Sequence, residues 1–149
     1  MAVNPIPEGY HTITPLIVTK EAKRLIEFLQ KAFDAESRFV SEDKGKVMHA
    51  EVKIGNSFLM ISDANEKFPA VPANHYLYVP DTDSVYNKAI QAGAESLMAP
   101  ADQFYGDRNA GVKDFAGNQW WIATHVEDVS PEELKKRAGE AYEKREKQS

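Results

Sequence analysis

The order of signals along this chain repeats once, and that repeat limits the fold more than any other feature. Ala35-Glu36-Ser37 returns as Ala94-Glu95-Ser96, and Ile17-Val18 is echoed by Tyr78-Val79. Gly55-Asn56 before Ser57-Phe58-Leu59-Met60-Ile61 is echoed by Gly117-Asn118 before Gln119-Trp120-Trp121-Ile122-Ala123. The offsets are 59, 61 and 62 residues, collinear and slowly growing. One such match is weak; three in order point to a duplicated unit. Two units of about 60 residues and a tail fill the 149 residues, a size that suits one domain or two small fused halves.

The elements within each half follow from periodicity. His11–Val18 is rich in β-branched residues and reads as a strand. Thr19 offers a helix cap, and Ala22, Leu25, Ile26, Leu29 and Phe33 share one helical face. Ser37–Val40, Val47–Ile54 and Phe58–Ile61 read as strands, with turns at 43–46 and at Gly55-Asn56. In the second half His75–Val79 is a strand, and Asp81 or Asp83 caps a helix that ends before Gly93. Glu95–Met98 is a short strand, 99–110 a polar loop, and Gln119–Thr124 the last strand, after a turn at 116–118. Each half thus reads βαβββ.

The expected fold class is α+β: two tandem βαβββ modules forming a curved mixed sheet around a cleft, plus a C-terminal helix. Residues 1–9 are an extended lead-in. Residues 10–128 form one domain, with module one at 10–63, a linker at 64–73 and module two at 74–128. Residues 129–149 are a helical tail: Ser130 at the N-cap, Pro131 at the first helical position and Glu133 at the third make a capping box. Its apolar stripe is thin (Leu134, Ala138, Ala141, Tyr142), which suits a solvated helix that docks weakly or covers a partner subunit.

Composition removes several functions. With 18 basic and 23 acidic side chains the net charge is −5, which argues against nucleic acid or an anionic membrane as partner. No run approaches the length of a membrane span, and MAVNPIPEGY lacks the basic and apolar regions of a signal peptide, so a cytoplasmic location is expected. The absence of cysteine excludes thiol nucleophiles, disulfides and thiolate-held metals. Any metal must use His, Asp, Glu or neutral oxygen ligands.

Several segments together carry a family resemblance. They are Thr14-Pro15-Leu16, Met48-His49-Ala50-Glu51-Val52, Phe58 to Asp63, Tyr105-Gly106-Asp107-Arg108, Asp114 to Trp120, Ile122-Ala123-Thr124-His125 and the Ser130-Pro131-Glu132-Glu133 start. In these the chain resembles the vicinal oxygen chelate superfamily of glyoxalases, ring-cleaving dioxygenases and fosfomycin and bleomycin resistance proteins. The wording is nearest its PhnB-like branch, also called 3-demethylubiquinone methyltransferase-like. One departure stands in the turn: Asp114-Phe115-Ala116-Gly117 replaces the family's Asp-Pro-Phe-Gly. The methyltransferase label finds no support, because no Gly-rich S-adenosylmethionine loop follows a strand.

The resemblance implies four metal ligands around a cleft, one from the first and one from the last strand of each module. These would hold a divalent ion open to two vicinal substrate oxygens. Counted from the turn glycines, the last-strand positions hold Leu59 and Trp121; counted from the helix entries, the first-strand positions hold Ile13 and Asn74. Only Asn74 can ligate, so the usual site is expected to be absent and no cofactor is required. An alternative divalent-metal site would use His49, Glu51, Asp63 and His125. His49, Glu51 and Asp63 are also the candidate general bases.

The family's geometry implies a binding cleft of Leu59, Asn74, Tyr76, Tyr78, Gln119, Trp121 and His125, apolar and aromatic with a few polar groups, as small-molecule sites are. Tyr76, Tyr78 and Trp121 could stack on a flat or cationic ligand, or simply fill a groove or dimer core. Arg108 could close over the cleft and pair with a ligand carboxylate or phosphonate, or pair internally with Asp107 or Asp114. The expected protein is a homodimer that binds a small organic molecule. The alternatives are a lyase, isomerase or dioxygenase with a non-standard metal site, and an antibiotic-sequestering resistance protein.

Overall fold

The computed structural model describes residues 2–148. Module one runs β1 (Leu16–Thr19), α1 (Ala22–Phe33), β2 (Glu36–Asp43), β3 (Lys46–Ile54) and β4 (Ser57–Asp63). Module two runs β5 (Asn74–Tyr78), α2 (Thr82–Gln91), β6 (Glu95–Asp102), β7 (Asp107–Lys113) and β8 (Gln119–His125). α3 (Pro131–Gln148) follows. The tandem βαβββ modules, the α+β class and the C-terminal helix are all present. The eight strands make two four-stranded mixed sheets, ordered β1-β4-β3-β2 and β5-β8-β7-β6, rather than one continuous sheet. In each, the first strand pairs parallel with the last.

The apolar face of α1 forms as the spacing predicts. Leu25, Leu29 and Ala32 are fully buried on Val47, Ala50, Val52, Leu59 and Ile61. Burial of each leucine contributes roughly 1.5–3 kcal/mol, and that of the alanine methyl about 0.8 kcal/mol. The helix starts differently from the expectation at Thr19. Its cap residue, Glu21, is left-handed and makes no side-chain cap bond. Instead Asp63, at the end of β4, takes the Ala22 N–H at 2.8 Å. In module two Thr124 does the same for Thr82 at 3.0 Å, while Asp81 accepts from Ser84. α1 and α2 pack on each other, and the modules share one core. The Phe33 and Trp120 rings lie 5.5 Å apart, and Lys88 bonds Asp34 at 2.9 Å.

Two sequence expectations shift. The first strand is confined to Leu16–Thr19, since the stretch before Pro15 has no ladder to join. Only 103–106 of the stretch 99–110 is loop: β6 reaches Asp102 and β7 begins at Asp107, and a register irregularity between Met98 and Ala101 breaks the alternation. The unusual turn at 114–118 is held by Asp114. Its carboxylate accepts N–H groups of Ala116 and Asn118 and the Trp120 indole N–H at 2.9 Å. α3 starts at the capping box, with the Glu133 N–H on Ser130 Oγ. Arg137 ties α3 to Glu127 and to the Phe104 carbonyl.

Candidate functional site

The helices cover one face of each sheet and leave the other face outward. Pairing across the strands shows which side chains share those outer faces. In sheet two Tyr76, Trp121 and Gly111 are register partners in one row, and Tyr78, Ala123 and Asn109 in the next. Asp107 faces His125 at the end. Trp121 can lie flat there because β7 carries no side chain beneath it: a Cβ on Gly111 would run into the indole.

Below the aromatic rings sits a polar hub. Asp107 is only 4% exposed. Its Oδ2 accepts the hydroxyls of Tyr76 (2.8 Å) and Tyr78 (3.0 Å), and its Oδ1 meets His125 Nδ1 at 2.9 Å. Burial works against the charged Asp107, but the hydrogen bonds from His125, Tyr76 and Tyr78 outweigh it and hold the carboxyl below its usual range. His125 also reaches Asp128 with Nε2 at 2.7 Å. Its bonds to Asp107 and then Asp128 hold the imidazole above its ordinary value. Burial raises the Tyr76 phenol, against the hydrogen bond from Asn109 and with the one to Asp107. Asn109 Nδ2 donates to Tyr76 (3.1 Å) and Tyr105 (2.6 Å).

The outer face of sheet one is less polar. Phe39, Glu51, Met60 and Leu16 form one row by register. Tyr10 stacks on Phe58 at 4.5 Å and donates its hydroxyl to Glu51 at 2.6 Å. Burial, with Glu51, pushes that phenol up to about 12. His49 Nε2 lies 3.8 Å from the same carboxylate. A cavity of about 700 Å³ opens between the modules, its wall including Phe33, Leu59, His75 and Trp120 together with Tyr76 and Tyr78.

The residues singled out by sequence divide accordingly. Asn74, Tyr76, Tyr78, Gln119, Trp121 and His125 all stand on the outer face of sheet two. Leu59 does not join them: it is 6% exposed beneath α1, and Ile61 beside it is fully buried. The reason is a turn-length mismatch. β3 and β4 are joined by Gly55-Asn56, but β7 and β8 by the five residues 114–118. Counting from the glycines therefore slips by one. Register makes Met60, not Leu59, the counterpart of Trp121.

Arg108 is not over the cleft either. It lies on the α2 side of β7, bidentate to Asp83 at 2.7 and 3.0 Å and bonded to Asp102 at 3.2 Å, and its guanidinium is shifted up by those two carboxylates. Asp63 spends both oxygens on backbone, the second on the Val47 N–H at 2.7 Å. The quartet His49, Glu51, Asp63 and His125 is not assembled: among the described residues no three His, Asp or Glu side chains gather as a metal site would require. The corrected last-strand positions, Met60 and Trp121, also do not fit a hard divalent cation. Sequence reading missed Asp107, Asn109 and Tyr105, whose roles depend on β7 being a strand.

Comparison with known proteins agrees with this architecture. The Glyoxalase/Bleomycin resistance protein/Dioxygenase superfamily matches residues 10–122. An uncharacterized protein of Mycobacterium bovis, Mb0911c, is 31% identical over 146 residues, covering 90% of this chain and 93% of that protein. Among solved structures, TioX from Micromonospora sp. ML1 superposes with a TM-score of 0.64 at 19% identity, over 76% of this chain and 99% of that one. The PhnB protein from Bacillus cereus gives 0.62 at 22% identity, over 76% and 99%. With its two βαβββ modules and this match over most of its length, the chain belongs to the Glyoxalase/Bleomycin resistance protein/Dioxygenase superfamily.

Proposed function

We propose that this protein binds a small organic molecule on the outer face of sheet two, as a homodimer in which sheet one of a second copy closes over the ligand. The observation that carries the reading is the aromatic shelf of Tyr76, Tyr78 and Trp121 held by the buried Asp107. A concave apolar surface with a few converging polar groups is the usual make-up of a ligand site. Fixed rings offer stacking area at little entropic cost.

Sheet one supports a second copy. Leu16 and Phe39, two apolar side chains in the row that also holds Met60, are each more than half exposed on its outer face. Covering it would bring His49 and Glu51 opposite the shelf.

Fluorescence titration of the full chain with planar aromatic compounds, together with sedimentation, tests the reading. A dimer with saturable quenching that disappears in Trp121→Ala supports it. A monomer, or quenching that survives in Trp121→Ala, contradicts it. Stoichiometric metal in protein purified without chelator, lost in His49→Ala, would replace it with a metal-dependent lyase, isomerase or dioxygenase.

A further inference from the structure

The shelf's hydrogen bonds specify what its ligand must carry. This inference rests on the shelf being the ligand site and names the ligand's chemistry. The Tyr76 hydroxyl has one proton, and it goes to Asp107 Oδ2 at 2.8 Å, because an ionised carboxylate can only accept. The Tyr76 oxygen can therefore only accept from Asn109, which fixes the amide with Nδ2 toward Tyr76 and Oδ1 away from it. The second Nδ2 proton goes to Tyr105 at 2.6 Å. Tyr78 gives its proton to Asp107 as well. One buried acceptor is then left over. Asn109 is 3% exposed, and its Oδ1 has no partner. Buried carbonyls are rarely left so, since the lost hydration is not replaced.

Charge points the same way. The basic side chains on β7 and β8 are already paired: Lys113 with Glu95, Arg108 with Asp83 and Asp102, and His125 with Asp107 and Asp128. Nothing there remains to neutralise an oxyanion, and burying one unpaired is costly. The free groups are ring faces and an acceptor.

We propose that the shelf takes a planar aromatic molecule with an N–H donor on its edge, bonded to Asn109 Oδ1, and that it rejects carboxylates and phosphonates. Oδ1 is shielded from solvent in the unliganded chain, so a ring must turn aside to admit the donor. The rings bonded to the Asn109 amide are Tyr76 and Tyr105, and Tyr76, 45% exposed, is the more open of the two.

Two isomeric probes isolate the donor. 3-Methylindole and 1-methylindole have the same apolar bulk, but only the first has an N–H. Each is titrated into the ¹⁵N-labelled full chain, following the Trp121 indole signal, with benzoate as the oxyanion. Satisfying a buried acceptor should make 3-methylindole bind about tenfold tighter, with no saturable shift from benzoate. In Asn109→Leu the two isomers should bind alike. If that variant is unfolded, the wild-type ratio decides alone. Equal affinity of the isomers, or tighter binding of benzoate, overturns the donor requirement and leaves the shelf as the site. No shift with any probe overturns the shelf itself, and the donor requirement with it.

Discussion

The indole of Trp121 occupies the space above Gly111 that a side chain would need. The two are direct partners across β7 and β8. Gly111 is therefore fixed by packing rather than by a turn. Gly111→Ala should push the indole off the sheet and cost about 1–3 kcal/mol, as overpacking does. Urea unfolding and a shift in tryptophan emission would show it. An unchanged midpoint and spectrum would mean the indole lies elsewhere.

Asp63 joins three elements of module one: from the end of β4 it caps α1 at Ala22 and holds the start of β3 at Val47. Asp63→Ala orphans two N–H groups. We expect a loss of about 1–3 kcal/mol, in the range of a lost helix cap and an unsatisfied donor. Denaturant unfolding measures it. Ligand affinity on sheet two should not change.

The Asp107–His125 pair should be visible in pH titrations. His125 is raised, by its bonds to Asp107 and then Asp128. Its contribution is thus complete below the ordinary histidine pKa and lost as pH rises through the folded value. Asp107 is depressed, so its contribution is present above the ordinary aspartate pKa and lost as pH falls through the folded value. The hub is tightest between the two. NMR titration of His125 should give a midpoint above about 6.5, the unperturbed value, and Asp107→Asn should lower it. An unperturbed wild-type midpoint would contradict the pair.

The apolar outer face of sheet one gives a prediction about assembly. Leu16 stands in the same row as Met60 and is 57% exposed. Leu16→Glu should convert a dimer in sedimentation velocity into a monomer without unfolding it. A monomeric wild type would remove the second copy from the account.

Much of this was legible in the chain. The repeat located both modules, the capping box located α3, and the alternation along β8 separated Trp121 from Trp120. What was not legible depended on lengths and on contacts distant in sequence. The two-residue and five-residue turns put the repeat out of step, so Leu59 took the place that belongs to Met60. The carboxylates that hold Arg108, Asp83 and Asp102, come from α2 and from β6, in a stretch whose irregular register hid the strand. Asp107 reads as one loop residue among several until β7 sets it beneath two tyrosines.

Chemical-shift mapping of a bound planar aromatic probe on the full chain tests the central claim most directly. The account predicts that the largest shifts fall at Gly111, Trp121 and His125, the shelf residues that do not line the cavity between the modules. Shifts centred instead on Phe33, His75 and Trp120, in the cavity between the modules, would contradict it.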